Sequence, residues 1–197
     1  MPPRPPHAYA RDVAAPDADG GSSTPTGPGM GRGTAVIVAT AWGVGLGGTF
    51  GVLLPWLLGY WHVHRPLRGW AVAQVIGIAL VMLGMVPIVQ AFVAFVRAGG
   101  TPVPIASPPR LVVDGWYAHV RNPIYVGFLV VLLGQALFFG SAGLLRYAVI
   151  AWAVAAAAAR WYEQPRLTRR FGKAYREYAQ AVPAWIPRLH RWVPPRP

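Results

Sequence analysis

Residues 114–127 read Asp-Gly-Trp-Tyr-Ala-His-Val-Arg-Asn-Pro-Ile-Tyr-Val-Gly and run directly into a long apolar segment. Pro123 lacks a backbone N–H and has its φ fixed near the helical value, so it predicts the first turn of a helix, with Asn122 as N-cap and Arg121 just outside. The unpaired N–H groups of such a turn, together with the positive end of the helix dipole, can receive a carboxylate or another anion. Glu163 is the sole acid between Asp114 and Glu177, and with His119 it makes up the candidate general bases near this stretch. The chain has no cysteine, which excludes disulfides, thiolate metal sites and cysteine nucleophiles. His7, His62, His64, His119 and His190 show no metal-ligand spacing with acids, so no metal site is expected.

The elements that must position these residues are apolar. Of the 197 residues 54% are hydrophobic and only 12% charged, too apolar for an ordinary soluble domain. The formal charge of +12 comes from basic residues that flank apolar segments, which suits anionic lipid headgroups and membrane topology rather than nucleic acid. Residues 1–33 carry Pro, Gly, Ser and Thr without helical or strand periodicity and read as a disordered tail, with 34–197 as the folded domain. Four apolar segments follow, at 34–58, 70–96, 123–139 and 144–162, each near the length of about 20 residues that crosses a hydrocarbon core about 30 Å thick. The expected fold is therefore all-α, a polytopic membrane protein with four transmembrane helices. Pro55 and Pro87 fall inside the first two, and Gly43, Gly45, Gly47, Gly48 and Gly51 permit close helix contact in the first. On one side of such a bundle the connecting segments hold only Arg65, Arg68 and Arg146; all other Arg and Lys residues fall on the opposite side, which places both termini in the cytoplasm of a cell membrane.

Gly140-Ser141-Ala142-Gly143 is short enough to force the third and fourth segments into an antiparallel hairpin. At 1.5 Å per residue its arms, back to Asn122 and on to Glu163, are roughly 27 and 30 Å long, so Asn122 and Glu163 are expected at the same depth. Beyond Glu163, Leu167, Phe171, Tyr175 and Tyr178 recur at helical spacing with Arg and Lys between them, predicting an interfacial amphipathic helix interrupted near Gly172. The Arg-rich stretch from Arg166 to Arg176 presents a face for anionic headgroups, and Trp185 and Trp192 are anchoring aromatics.

In order, the chain has Gly-Trp-Tyr-Ala-His-Val-Arg-Asn-Pro-Ile-Tyr-Val-Gly, then Glu163 with Leu167, then Phe171-Gly172-x-x-Tyr175-x-x-Tyr178, then Val182-Pro183-x-x-Ile186-Pro187. This pattern, within roughly residues 99–188, resembles the isoprenylcysteine carboxyl methyltransferases and the related phospholipid methyltransferases. The resemblance implies an integral-membrane methyltransferase that uses S-adenosylmethionine at a cytoplasmic site built from 115–127 and 160–188. It implies cofactor contacts at Leu111, Val112, Tyr117, Asn122, Pro123, Ile124, Tyr125 and Glu163, with Asn122, Tyr125 and Glu163 closest to the chemistry. These residue types suit the cofactor: its sulfonium and ammonium favour a carboxylate, its own carboxylate a helix N-terminus, and its adenine an aromatic face. The implied acceptor is lipophilic, an isoprenylcysteine-like carboxylate or a lipid headgroup.

The chain departs from the family pattern in three places. Asn122 stands where His is common, and Gln164 where a second acid is common. The Arg that eukaryotic members place four residues before the Glu corresponds to Ala159, leaving Arg160, next along, to meet a substrate carboxylate. Plainer roles exist for the same residues: Glu163 pairing with Arg160, Arg166 or Arg170, Asn122-Pro123 as a cap, and Tyr117 and Tyr125 as aromatic-belt residues. Two other functions fit part of the pattern. A reductase resembling the membrane steroid reductases would bind NADPH through Arg110 and Arg121, and a non-enzymatic membrane protein would keep the scaffold alone.

Overall fold

The computed structural model describes residues 32–59, 61–65, 69–97 and 111–193. The tail expected at 1–33 lies outside these residues except for its last two, which begin a helix, and Arg110 also lies outside them. Among the described residues the chain is helical, with no strand. Helix α1 spans Arg32–Gly48 and passes through a π-turn, Thr49–Leu53, into α2, Leu54–Gly59. Helix α3 spans Ala71–Arg97, a 3₁₀ turn covers Gly115–Ala118, and α4 spans Pro123–Phe139. Helix α5, Ala142–Ala158, passes through a second π-turn, Ala159–Glu163, into α6, Gln164–Ala181. By length and composition, 71–94 and the continuous helix from Ala142 to Ala181 can cross a membrane, and Gly43–Gly59 and Pro123–Phe139 are shorter apolar helices.

Both π-turns stand two residues before a proline, Pro55 and Pro165. In the first, Leu54 N–H reaches back to the Thr49 carbonyl. The next residue, Pro55, has no N–H, so Gly51 O cannot be served by the residue four along, nor Phe50 O by the residue five along. Side chains from the hairpin replace the missing donors: Gln135 Nε2 donates to Gly51 O at 2.8 Å and Tyr147 Oη to Phe50 O at 2.8 Å. A proline in an apolar helix is tolerated when neighbours re-satisfy the freed carbonyls, and here the donors can be named.

Helices α3 and α4 approach each other at glycine on both sides. Gly77 and Gly84 are seven residues apart on α3, as are Gly127 and Gly134 on α4. A Cβ at Gly84 would sit 2.5 Å from the Gly127 carbonyl oxygen, and one at Gly134 would sit 2.6 Å from that of Gly77. The backbones therefore touch directly at two heights, seven residues apart. The glycines of α1 behave differently: Gly43 and Gly51 meet Phe92 and Phe128, whereas Gly45, Gly47 and Gly48 face open space.

Helix α4 ends at Gly140, whose φ of 63° suits glycine, and Ser141 starts α5 by accepting the Leu144 N–H on its hydroxyl at 3.3 Å. The hairpin turn is thus only two residues long. At its open end, the face of α5 that meets α4 continues into α6 through Ala159, Glu163, Leu167 and Phe171. Spacing by four drifts off one face of an α-helix, and the π-turn, with more residues per turn, holds it in register. At Gly172 the backbone leaves helical geometry, with φ 52° and ψ −122°, and α6 bends. The aromatic stripe of α6 therefore turns inward. Phe171, Tyr175 and Tyr178 form a small core with Leu111, Val113, Val182 and Trp192, packed against the segment that leads into α4.

Candidate functional site

The site forms where α4 begins and α5 becomes α6. Tyr125, in the first turn of α4, donates its hydroxyl to Glu163 Oε1, so the equal depth predicted for the two arms is realised as a direct side-chain bond. Both residues are partly buried. Tyr117 and Tyr175 also lie within electrostatic reach of Glu163. Burial raises the Tyr117 phenol well above its ordinary pKa, with the neighbouring Tyr178 and Glu163 adding to the shift, and burial likewise raises Tyr178. Each hydroxyl is therefore a neutral donor over the physiological range.

Asn122 occupies the N-cap position, but its side chain makes no cap hydrogen bond. The amide instead donates through Nδ2 to the Ala184 carbonyl at 3.1 Å. This corrects the expectation of a side-chain cap. Its cause is the segment after α6, which folds back along 118–122 and offers carbonyls to it: Arg121 N–H donates to Pro183 O at 2.9 Å. Farther along, Arg188 N–H donates to His119 O at 3.0 Å and Trp192 N–H to Ala118 O at 2.8 Å. His119 Nδ1 donates to Arg188 O at 2.9 Å, which fixes the proton on that nitrogen and leaves Nε2 as its basic atom. Tyr178 Oη closes the arrangement by donating to Tyr117 O at 2.7 Å. The motif loop is thus held from two sides by a segment more than sixty residues away in sequence.

Arg121, which sequence reasoning placed simply outside the helix, points inward. Its guanidinium lies within electrostatic reach of the Tyr175 hydroxyl, and its buried Nε has no hydrogen-bond partner among the described residues. Leu111 and Pro123 are buried in packing, Leu111 in the small aromatic core, while Val112 and Ile124 remain partly exposed. Arg160 is exposed on the π-turn one turn before Glu163. Trp185 is a site residue that the sequence marked only as an anchor. Its ring stacks on Tyr125, with centroids 6.4 Å apart, and meets Trp152 edge-on at 6.1 Å. Between α4 and α5, below Tyr125, a narrow groove is lined by Phe128, Leu132, Ala148, Ala151, Trp152 and Ala155. The signal for Trp185 was its place inside Val182-Pro183-x-x-Ile186-Pro187, two residues after the proline that pairs with Arg121.

Chemically, the arrangement offers a carboxylate with an attached phenol, a buried guanidinium nitrogen with a free N–H, and the first-turn N–H groups of α4 without a side-chain cap. One ligand carrying both cationic and anionic groups fits that set, with an apolar groove beside it. Among the described residues no three His, Cys, Asp or Glu side chains converge as a metal site would require.

Residues 72–174, just over half of the chain, match the family of phospholipid methyltransferases. The chain is 34% identical over 100 residues to the protein-S-isoprenylcysteine O-methyltransferase of Schizosaccharomyces pombe, covering 48% of this chain and 42% of that protein. It is 37% identical over 79 residues to protein-S-isoprenylcysteine O-methyltransferase B of Arabidopsis thaliana, covering 40% of each. A further similarity, 32% over 87 residues, is to the Delta(14)-sterol reductase TM7SF2 of Mus musculus, covering 44% of this chain and 21% of that protein. The chain thus spans less than half the length of each of these relatives, and no solved structure matches it significantly. The matched segment runs from α3 through the motif loop, the α4–α5 hairpin, Glu163 and the Gly172 bend, and by that match the chain belongs to the phospholipid methyltransferase family.

Proposed function

We propose that the chain is a membrane methyltransferase that binds S-adenosylmethionine between the motif loop and the α5–α6 junction and methylates a lipophilic acceptor, with a carboxylate as the favoured nucleophile. The observation that carries this reading is the Tyr125–Glu163 hydrogen bond, which joins the two motif segments at the mouth of α4. The residues present fit the cofactor: Glu163 for its cationic groups and hydroxyls, and Arg121 Nε with the α4 first turn for its carboxylate. Tyr117, Tyr125, Asn122 and Ile124 line the same region. When bound, S-adenosylmethionine supplies a methyl group on a sulfonium sulfur. The chain's contribution is to bind and align the partners and to keep water out, and a carboxylate acceptor needs no general base. Arg160, exposed beside the site, is the residue available to an acidic acceptor.

The same reading takes residues 34–58, 70–96, 123–139 and 144–162 as four spans of a cell membrane, with Glu163 and both termini on the cytoplasmic side. The basic residues of α6, Arg166, Arg169, Arg170, Lys173 and Arg176, then meet anionic headgroups. The test is calorimetric binding of S-adenosylmethionine and NADPH to the detergent-solubilised protein beside Glu163→Ala. Micromolar S-adenosylmethionine binding that is lost in the variant is the expected result. Its absence in folded wild-type protein overturns the proposal, and NADPH binding instead would favour the reductase chemistry named for the mouse relative.

A further inference from the structure

The segment that follows α6 has two faces. Ala184, Trp185, Arg188 and Trp192 turn toward the protein, where Trp192 is 9% exposed. Ile186, Leu189 and Val193 turn outward and are 79%, 93% and 59% exposed. A loop held to its own protein by backbone bonds at Pro183, Arg188 and Trp192 has no freedom to tuck these side chains away. Bulky aliphatic groups this exposed on a fixed loop point to an apolar phase outside the protein.

The depth of the segment identifies that phase. Trp185 packs against Trp152, which precedes Glu163 by eleven residues, or about 16 Å along a helix. The backbone of the segment lies at the level of 118–122, where α4 begins, and from there the Trp185 ring reaches past Tyr125 toward the apolar middle of α5. There the neighbouring surface of α5 is itself apolar and exposed at Val149, Ile150, Trp152 and Val154. Ile186 and Leu189, on the segment that carries Trp185, are exposed in the same way. Exposed His190 and Arg191 follow on the same segment, where a headgroup layer would lie above the acyl chains.

We propose that residues 183–193 form a strap embedded in the membrane leaflet on the side of Glu163, with Ile186 and Leu189 among the acyl chains and Trp185 closing the groove between α4 and α5. The proposal rests on the membrane reading given above. It makes Trp185 the boundary between bilayer and site: a lipophilic acceptor approaching Tyr125 and Glu163 from the acyl chains passes this ring. The bound surface is thus lipid rather than a protein partner.

Because the chain lacks cysteine, single cysteines can be placed in the full-length protein without further change. Ile186→Cys, Leu189→Cys, Val149→Cys and Lys173→Cys would be spin-labelled in mixed phosphatidylcholine and phosphatidylglycerol bilayers. Accessibility to oxygen is then compared with accessibility to a water-soluble nickel chelate. Val149 is the lipid-facing control and Lys173, whose side chain is 85% exposed on basic α6, the headgroup-level control outside the acyl chains. Labels at 186 and 189 that follow the Val149 pattern are the expected result. Labels at 186 and 189 that follow Lys173 while Val149 reports lipid overturn the strap and leave the membrane reading standing. A Val149 label that itself reports water overturns the membrane reading and the strap with it.

Discussion

The α3–α4 contact gives a sharp test of how the site is held. Substituting Gly84→Ala places a Cβ 2.5 Å from the Gly127 carbonyl oxygen and 2.9 Å from the Val131 backbone nitrogen. Ordinary contact begins near 3.4 Å, so the helices must part by about 0.9 Å at this height. Neither obstructing atom can rotate away, because both are backbone atoms of α4. Overpacking of this kind costs about 1–3 kcal/mol. For a chain of this size that lowers the thermal midpoint by about 2–12 °C. Gly45→Ala is the internal control: nothing lies within 4 Å of its Cβ, and alanine's better helix propensity leaves stability unchanged or slightly higher. Tyr125 lies in the turn just before Gly127, so the displacement also reaches its bond with Glu163, and Gly84→Ala should weaken S-adenosylmethionine binding as well. The assay is thermal unfolding in detergent, followed by calorimetry on the folded protein at low temperature. Equal midpoints for Gly84→Ala and Gly45→Ala would refute the claim that backbone contact between α3 and α4 sets the position of the site.

Two further predictions concern backbone repairs. Gln135→Leu removes the donor to Gly51 O and should cost about 1–3 kcal/mol, somewhat reduced because Gln135 Oε1 is itself buried without a partner. In a Pro55→Ala background the new N–H can serve Gly51 O within the helix, so the same substitution should cost less there; a double-mutant cycle with no coupling would refute this account. Gly172→Ala puts a side chain at φ 52° and ψ −122° and should cost about 1–3 kcal/mol through strain alone, since nothing lies within 4 Å of its Cβ. A Gly172→Ala protein as stable as wild type in chemical denaturation would show that the bend is not required.

The helical character, the four apolar segments, the short hairpin and the pairing of Glu163 with the start of α4 were legible in the sequence. Each follows from a local cue: run length, the Gly140-Ser141 turn, Pro123 at a helix start, and a rise per residue that makes the two arms equal. The stripe at Leu167, Phe171, Tyr175 and Tyr178 was legible as a stripe, but its partner was not, because periodicity says that a face is apolar without saying what covers it. Here the partners are Leu111 and Val113, just before the motif loop, with Val182 and Trp192 from the segment after α6. The cap expected of Asn122 failed for a similar reason: its amide bonds to Ala184, sixty-two residues away, and a carbonyl offered from that distance has no local signature.

Sequence alone determined that Tyr125 and Glu163 would meet, since a short hairpin with arms of nearly equal length must bring the start of α4 and the end of α5 to one depth. Tertiary structure decided what surrounds them. Trp185 reaches Tyr125 because 183–192 pairs with 118–122, the close approach of α3 and α4 requires glycines on both partners at once, and Pro55 is tolerated because Gln135 and Tyr147 supply the bonds it cannot make. All three depend on groups far apart in the chain meeting at a few ångströms, which side-chain periodicity within one segment does not encode.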